Sequence, residues 1–241
     1  MRLKSFVKYM LPLVLFGLLV FLYGFTSSRN ASKKIAKIEV EFEAGDNHFL
    51  THQMVNKLLI QNQKSVVNQP KSMLDLHGLE QSVLTNPYVE KASVFASING
   101  VLKTVIKQRE PIARLIEKST SYYVDRDGVK IPLSQNFSAR VPLVSGVESA
   151  TEIKEITQLV NLILSDNFLK KEVTGIQKNE AGEYVFNVRS GDYKIEFGNF
   201  INADVKFKKL KAFYNKAYAD KTIDNYQTIN VKYHNQVVCT K

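Results

Sequence analysis

The longest apolar run comes first. Tyr9 to Phe25, YMLPLVLFGLLVFLYGF, holds 17 uncharged residues, mostly large. As a helix rising about 1.5 Å per residue it reaches about 25 Å, enough for the lower edge of a membrane span. Pro12 falls in the first turn of that predicted span, where a missing N–H costs little. Tyr9 and Tyr23 sit near its two ends, where amphipathic rings favour the interface, and Lys8 can snorkel to the headgroups. A cleaved signal peptide is the competing reading, because Arg2, Lys4 and Lys8 make a basic start and Thr26-Ser27-Ser28 are small. The run is longer than the usual apolar core of a signal peptide and no A-x-A site follows it, which favours an uncleaved anchor.

Beyond the anchor, TSSRNASKK (26–34) reads as a polar, basic linker. Then the periodicity changes. Ile38, Val40 and Phe42 alternate with Lys37, Glu39 and Glu41, the period-two pattern of a half-buried strand. A turn at Ala44–His48 follows. Met54, Val55, Leu58 and Leu59 then share one face of a predicted helix over 52–63, with Thr51 as its N-cap. Leu76, Leu79, Val83 and Leu84 predict a second helix, which must end by Asn86 because Pro87 forces the preceding residue out of the helical region. Two strands, VEKASVFASI and VLKTVIKQR, flank Asn99-Gly100, a pair suited to a type I′ hairpin turn. The order is β-α-α-β-β over residues 35–110, that of a POTRA domain.

A second, β-rich unit over 111–241 starts after Pro111 with the short strands IARLIEK, SYYVDRDGVKIPL and RVPLVSG, the middle one turning at Asp125–Gly128. Ile153, Ile156, Val160 and Ile163 predict a helix near 149–165. Strands resume at VTGIQKN, EYVFNVRS and DYKIEFG, the last two joined by Ser190-Gly191. A final helix over 203–218 puts Phe207, Leu210, Tyr214 and Tyr218 on one stripe and Lys208, Lys209 and Lys216 on the solvated side. QTINVKY and VVCTK close the chain as strands. The predicted class is α+β: one N-terminal span, a POTRA domain, and a mixed β domain with flanking helices.

Charge narrows the class of partner. The net charge is +10; removing the head and anchor takes away three basic residues and no acids, leaving 30 − 23 = +7 on the 216 residues after Phe25. That charge is spread out rather than gathered with interleaved aromatics, so it favours anionic headgroups or an acidic partner over nucleic acid. The eight-residue head (1–8) is too short to be a domain, and long tails cross a membrane largely regardless of charge, so the function is expected outside the cytoplasm. The lone cysteine, Cys239, has no internal partner, so the exported part folds on apolar cores rather than disulfides.

Candidate chemistry is thin. His48 and His52 stand four apart, but His48 falls in a predicted turn with no third ligand at suitable spacing. Ser5-Phe6-Val7-Lys8 fits S-x-x-K only ahead of the anchor, and Asp125 and Asp127 in DRDG are a turn before they are an acid/base pair. No cofactor, metal, small-molecule substrate or catalytic residue is predicted. What remains is backbone: a β-rich domain that ends on a strand offers an edge to a partner strand.

The order of these features resembles the FtsQ/DivIB cell-division proteins of bacteria. It is carried by a short basic head, one span, the β-α-α-β-β unit, NPYVEKASV after its second helix, QREPIA leading out, YYVDRDG, and a late INVKY. Gln108 stands where that family usually has Glu, Asn230 where it often has Asp, and Lys232 where it often has Arg. The resemblance implies a non-enzymatic divisome scaffold in the inner membrane at the septum, single-pass and type II. It further implies a POTRA unit facing the membrane and a β domain that binds FtsB, and through it FtsL, by strand addition. Transferred by position, the partner-binding residues are Thr228, Ile229, Asn230, Val231, Lys232 and Tyr233, with Val237 as a flank. Two rivals are another exported POTRA-containing interaction or chaperone module and a membrane-anchored cell-wall hydrolase.

Overall fold

A computed structural model describes residues 2–43, 49–61 and 64–241. The chain divides into two compact units, Met1–Gln108 and Arg109–Lys241, each with its own apolar core. The fold is α+β.

The first unit begins with a helix, α1 (Arg2–Ala31), whose stretch Met10–Ala31 is long and apolar enough to cross a membrane, its most apolar 18 residues having a mean hydropathy of 2.0. It is longer than the sequence pattern predicts. Helical geometry continues into the polar segment expected to be a linker, as far as Ala31, and because it starts at Arg2, Pro12 lies inside the helix rather than in its first turn. Pro12 thereby removes one backbone bond, a loss tolerated in spanning helices.

Next come β1 (Lys37–Phe42), α2 (His52–Leu58) and a two-stranded ribbon, β2 (Ile60–Gln61) with β3 (Lys64–Ser65). A single 3₁₀ turn at Lys71–Met73 leads to α3 (Leu76–Leu84), β4 (Val89–Ala96) and β5 (Val101–Gln108). The expected turn at Ala44–His48, His48 included, lies outside the described residues, as do Asn62 and Gln63. Helix α2 is capped by Thr51, whose side chain accepts from the Met54 amide, but it stops at Leu58 instead of running on. Ile60 and Gln61 instead pair with Ser65 and Lys64 as a short antiparallel ribbon.

The three main strands lie in the order β1-β5-β4, with β1 parallel to β5 and β4 antiparallel to it. Val55, Leu59, Leu79 and Val83 from the helices pack on Leu102 and Ile106 of β5. Asp75 caps α3 by accepting from Gly78, and the helix ends before Asn86-Pro87 as expected. The hairpin differs in register. Gly100 alone has positive φ, at 81°, and its amide reaches the Ser97 carbonyl, so Ile98 and Asn99 are the central residues and Gly100 closes the loop. This is a three-residue loop with glycine in the left-handed position, not a two-residue type I′ turn.

The second unit is one nine-stranded mixed sheet with helices. Its elements are β6 (Pro111–Glu117), β7 (Thr120–Asp125), β8 (Lys130–Ile131), β9 (Leu143–Ser145), α4 (Ala150–Ser165), α5 (Leu169–Glu172), β10 (Val173–Lys178), β11 (Tyr184–Val188), β12 (Lys194–Gly198), α6 (Ala203–Ala219), β13 (Thr228–Asn230) and β14 (Val238–Thr240). The strand order is β14-β13-β12-β11-β10-β9-β6-β7-β8. The core joins Ile156, Val160 and Ile163 of α4 and Phe207, Leu210 and Tyr214 of α6 to Phe186, Ile195 and Phe197 of the sheet. Tyr218, expected on the α6 stripe, is exposed, and Ala217 takes the inward place.

Helix α4 opens with a reciprocal cap: the Ser149 hydroxyl accepts from the Glu152 amide while Glu152 accepts from the Ser149 amide. Lys178 donates to the other oxygen of Glu152 at 3.0 Å. The Ser149 amide first, then Lys178, hold the Glu152 carboxyl down at about 2. A depressed carboxylate stabilises the fold above its ordinary pKa and loses that contribution as pH falls through about 4.5 to about 2. With its side chain 31% exposed, Glu152 is partly screened, and Glu152→Gln should lower stability by about 1–2 kcal/mol at neutral pH. Denaturant titrations of the two proteins should converge as pH approaches the folded-state value; a gap independent of pH would refute the assignment.

Candidate partner-binding edge

The last strands of the second unit are built by a run of alternating burial. Ile229 and Val231 are fully buried, while Thr228 and Asn230 face partners across the ladder. On one side β13 runs parallel to β12, pairing Thr228 with Lys194, Ile229 with Ile195 and Asn230 with Glu196. On the other side it runs antiparallel to β14, pairing the same three residues with Thr240, Cys239 and Val238. The Thr228 and Thr240 hydroxyls meet at 2.5 Å. The strand expected to offer its own ladder groups therefore has neighbours on both sides. β14 lies one strand outward and is the outermost strand at this end of the sheet, with β8 at the other end.

The direction of the free groups follows from the ladder. Gln227 donates to the Thr240 carbonyl at 2.9 Å, and Val238 and Thr240 are the residues facing Asn230 and Thr228. Successive residues of a strand turn their N–H and C=O to opposite sides. Cys239 thus turns its amide and carbonyl outward, while its side chain packs against the core beside Val237. Burial pushes its thiol pKa up, which suits a packing role.

The remaining predicted residues brace this margin. The Asn230 amide group donates to Glu196 at 2.6 Å, and Asn230 Oδ1 accepts from the Lys232 amide at 3.0 Å, fixing the exit from β13. Lys232 Nζ lies 3.1 Å from Glu183 and 3.4 Å from Glu196, and Glu183 above all raises its pKa. Its stem lies over Gly198, where φ is +76° and an added Cβ would stand 2.6 Å from Lys232 Cγ. The Val231 amide reaches the Glu196 carbonyl at 3.0 Å. Tyr233 is half exposed and Val238 is 38% exposed, so apolar surface flanks the margin.

Helix α6 contributes two lysines that its pattern did not announce. Lys209, expected in solvent, donates to the carbonyls of Val231 and Tyr233 and so ties the segment after β13 to the helix. Lys206 is 7% exposed, donates to the Asn199 carbonyl at 2.6 Å and lies over the Phe197 ring. Burial lowers its pKa. No i, i+4 rule marks these contacts in advance, because their acceptors lie outside the helix, at Asn199 for Lys206 and at Val231 and Tyr233 for Lys209. A pocket of about 360 Å³ opens here, lined by Ile201, Val205, Lys206, Lys209, Lys232 and Tyr233 among others.

The second unit's residues 110–240 match the model of a family described as FtsQ/DivIB, C-terminal related. This chain belongs to the FtsQ/DivIB family. Residues 34–107 match a POTRA-like domain model, in line with the β1-β5-β4 sheet and its two helices. The FtsQ/DivIB family is a family of non-enzymatic division scaffolds, and membership supports a division-associated scaffold role for this chain. Among solved structures, the major extracytoplasmic domain of the trans isomer of the bacterial cell-division protein DivIB from Geobacillus stearothermophilus is similar at 18% identity, over 48% of this chain and 98% of that one, with a TM-score of 0.32. Comparison with curated proteins finds no match. Among the described residues, no group of three or more His, Cys, Asp or Glu is placed to hold a metal ion.

Proposed function

We propose that this chain is a membrane-anchored division scaffold that catalyses no reaction and takes a partner strand on the free margin of β14. In this reading residues 9–25 span the inner membrane, 35–110 form the POTRA domain and 111–241 the β domain, outside the cytoplasm and at the division septum. The partners are of the FtsB/FtsL type. The observation that carries the proposal is the outward-facing backbone of Cys239 at the end of a nine-stranded sheet, in a chain of a scaffold family. Main-chain bonds would supply affinity, and Tyr233, Val237 and Val238 would select the side chains that arrive. Thr228, Ile229, Asn230, Val231 and Lys232 act from beneath, holding β14 in register.

A proline tests this cleanly at Cys239, because an edge strand tolerates proline where its N–H faces solvent. Cys239→Pro should keep the fold, judged by circular dichroism and denaturant midpoint. It should weaken capture of an FtsB-type partner at least about tenfold, the value of one main-chain hydrogen bond of about 1.4 kcal/mol. Cys239→Ala should bind as the parent does. Full binding by a folded Cys239→Pro protein would remove β14 from the interface.

A further inference from the structure

Two large apolar side chains of the first unit are exposed on segments bonded to the end of α1 and the chain leaving it. Outside α1, Ile98 at 79% and Met73 at 70% are the most exposed large hydrophobics among the described residues of this unit. Lys71 Nζ donates to Asn30 at 2.7 Å, and its amide reaches the Lys33 carbonyl at 3.0 Å. The hairpin tip meets the same segment: the Ala36 amide donates to Gly100 at 2.7 Å, and a Cβ on Gly100 would stand 2.7 Å from the Lys34 carbonyl. The tight loop that puts Ile98 at its tip is thus seated directly on the chain leaving α1.

Charge gathers at the same level. Residues 26–36, 69–74 and 97–100 hold Arg29, Lys33, Lys34 and Lys71 and no acidic residue. At about 1.5 Å per residue, Arg29 and Asn30 stand about 6–8 Å beyond Phe25. The polar layer of one leaflet is about 5–7 Å thick, so Lys71, bonded to Asn30, lies at its outer part.

We propose that this corner is a membrane foot, in which Ile98 and Met73 insert into the headgroup layer of an anionic bilayer while Arg29, Lys33, Lys34 and Lys71 face lipid phosphates. The proposal rests on α1 being a span. Two apolar anchors with a basic collar are the composition that holds an amphipathic surface at the headgroup–acyl boundary, and anionic lipid attracts juxtamembrane cations within a Debye length. The foot limits the tilt of the POTRA unit over the bilayer.

The chain contains no tryptophan, so one introduced residue reports its own surroundings. Four single variants of the full chain, Ile98→Trp, Met73→Trp, Leu18→Trp and Lys91→Trp, are reconstituted into vesicles of phosphatidylcholine and phosphatidylglycerol carrying bromine on the acyl chains. Lys91 is about 20 Å along β4 from Ile98 and serves as the distant control. Ile98→Trp and Met73→Trp should be quenched by bromine placed near the headgroup, Leu18→Trp by bromine placed deep, and Lys91→Trp by neither. Changing Lys33, Lys34 and Lys71 together to Gln should lower the quenching at Ile98→Trp. If Leu18→Trp is quenched while Ile98→Trp and Met73→Trp match Lys91→Trp, the foot is overturned and the span stands. If Leu18→Trp is itself unquenched, the span fails and the foot with it.

Discussion

Replacing Asp125 by alanine is expected to lower the stability of the second unit by about 3–5 kcal/mol, the range for breaking a buried ion pair. Asp125 is 5% exposed, and three donors converge on its carboxylate. Arg109 reaches Oδ2 at 2.7 Å, while the amides of Asp127 and Val129 reach Oδ1 at 3.0 and 2.8 Å. Alanine leaves a guanidinium that is only 20% exposed beside the hole, and it frees a turn whose Gly128 is held at φ +80°. Asp125→Asn keeps an oxygen for the two amides and forfeits the charge, so it should cost about half as much. Denaturant midpoints of the three proteins give the order parent, Asn, Ala. An alanine protein within about 0.5 kcal/mol of the parent, as ordinary surface changes are, would show that this cluster does not hold the turn.

QREPIA leads into β6 and YYVDRDG runs along the adjacent antiparallel β7, and the Arg109–Asp125 ion pair joins the two stretches. Gln108, the departure from the usual Glu, accepts from the Leu50 amide at 2.9 Å, a role that needs an acceptor and no charge. Most strands and both long helices of the second unit were readable because each buries one face, which imposes a period. The elements that escaped have no period to show. β2, β3 and α5 are two to four residues long. The hairpin tip shifted by one residue because Asn-Gly fits both a two-residue turn and the last two places of a three-residue loop.

The site was half legible for a related reason. INVKY has the alternation and apolar content of a strand, so its existence could be read. Which strand lies outermost depends on Val238–Thr240 returning antiparallel along β13, and although VVCTK reads as a strand, its pairing partner is not written in its alternation. Burial of Ile229 and Val231, with Asn230 bonded to Glu196, marks β13 as an inner strand, and sequence alternation cannot distinguish that from an edge.

Ile229→Ala is the second large expected effect, and it separates support of the margin from contact with a partner. Ile229 is fully buried between Ile195 of β12 and Cys239 of β14, within the cluster that includes Phe197 and Phe207. Truncating it to alanine should cost about 2–5 kcal/mol, from lost transfer energy plus the cavity left behind. Ile229→Val should cost about 0.5–1.5 kcal/mol. β13 has three residues and β14 three, so packing at Ile229 supplies much of what keeps them aligned. Hydrogen exchange at the Thr228–Thr240 pairings should therefore accelerate in the alanine protein more than at β10–β11, far from the cavity. Partner affinity should fall along with stability, whereas in Cys239→Pro it falls alone. If Ile229→Ala were as destabilised as expected yet bound its partner undiminished, β14 would not need β13 beneath it, and the recognised margin would have to lie elsewhere on the sheet.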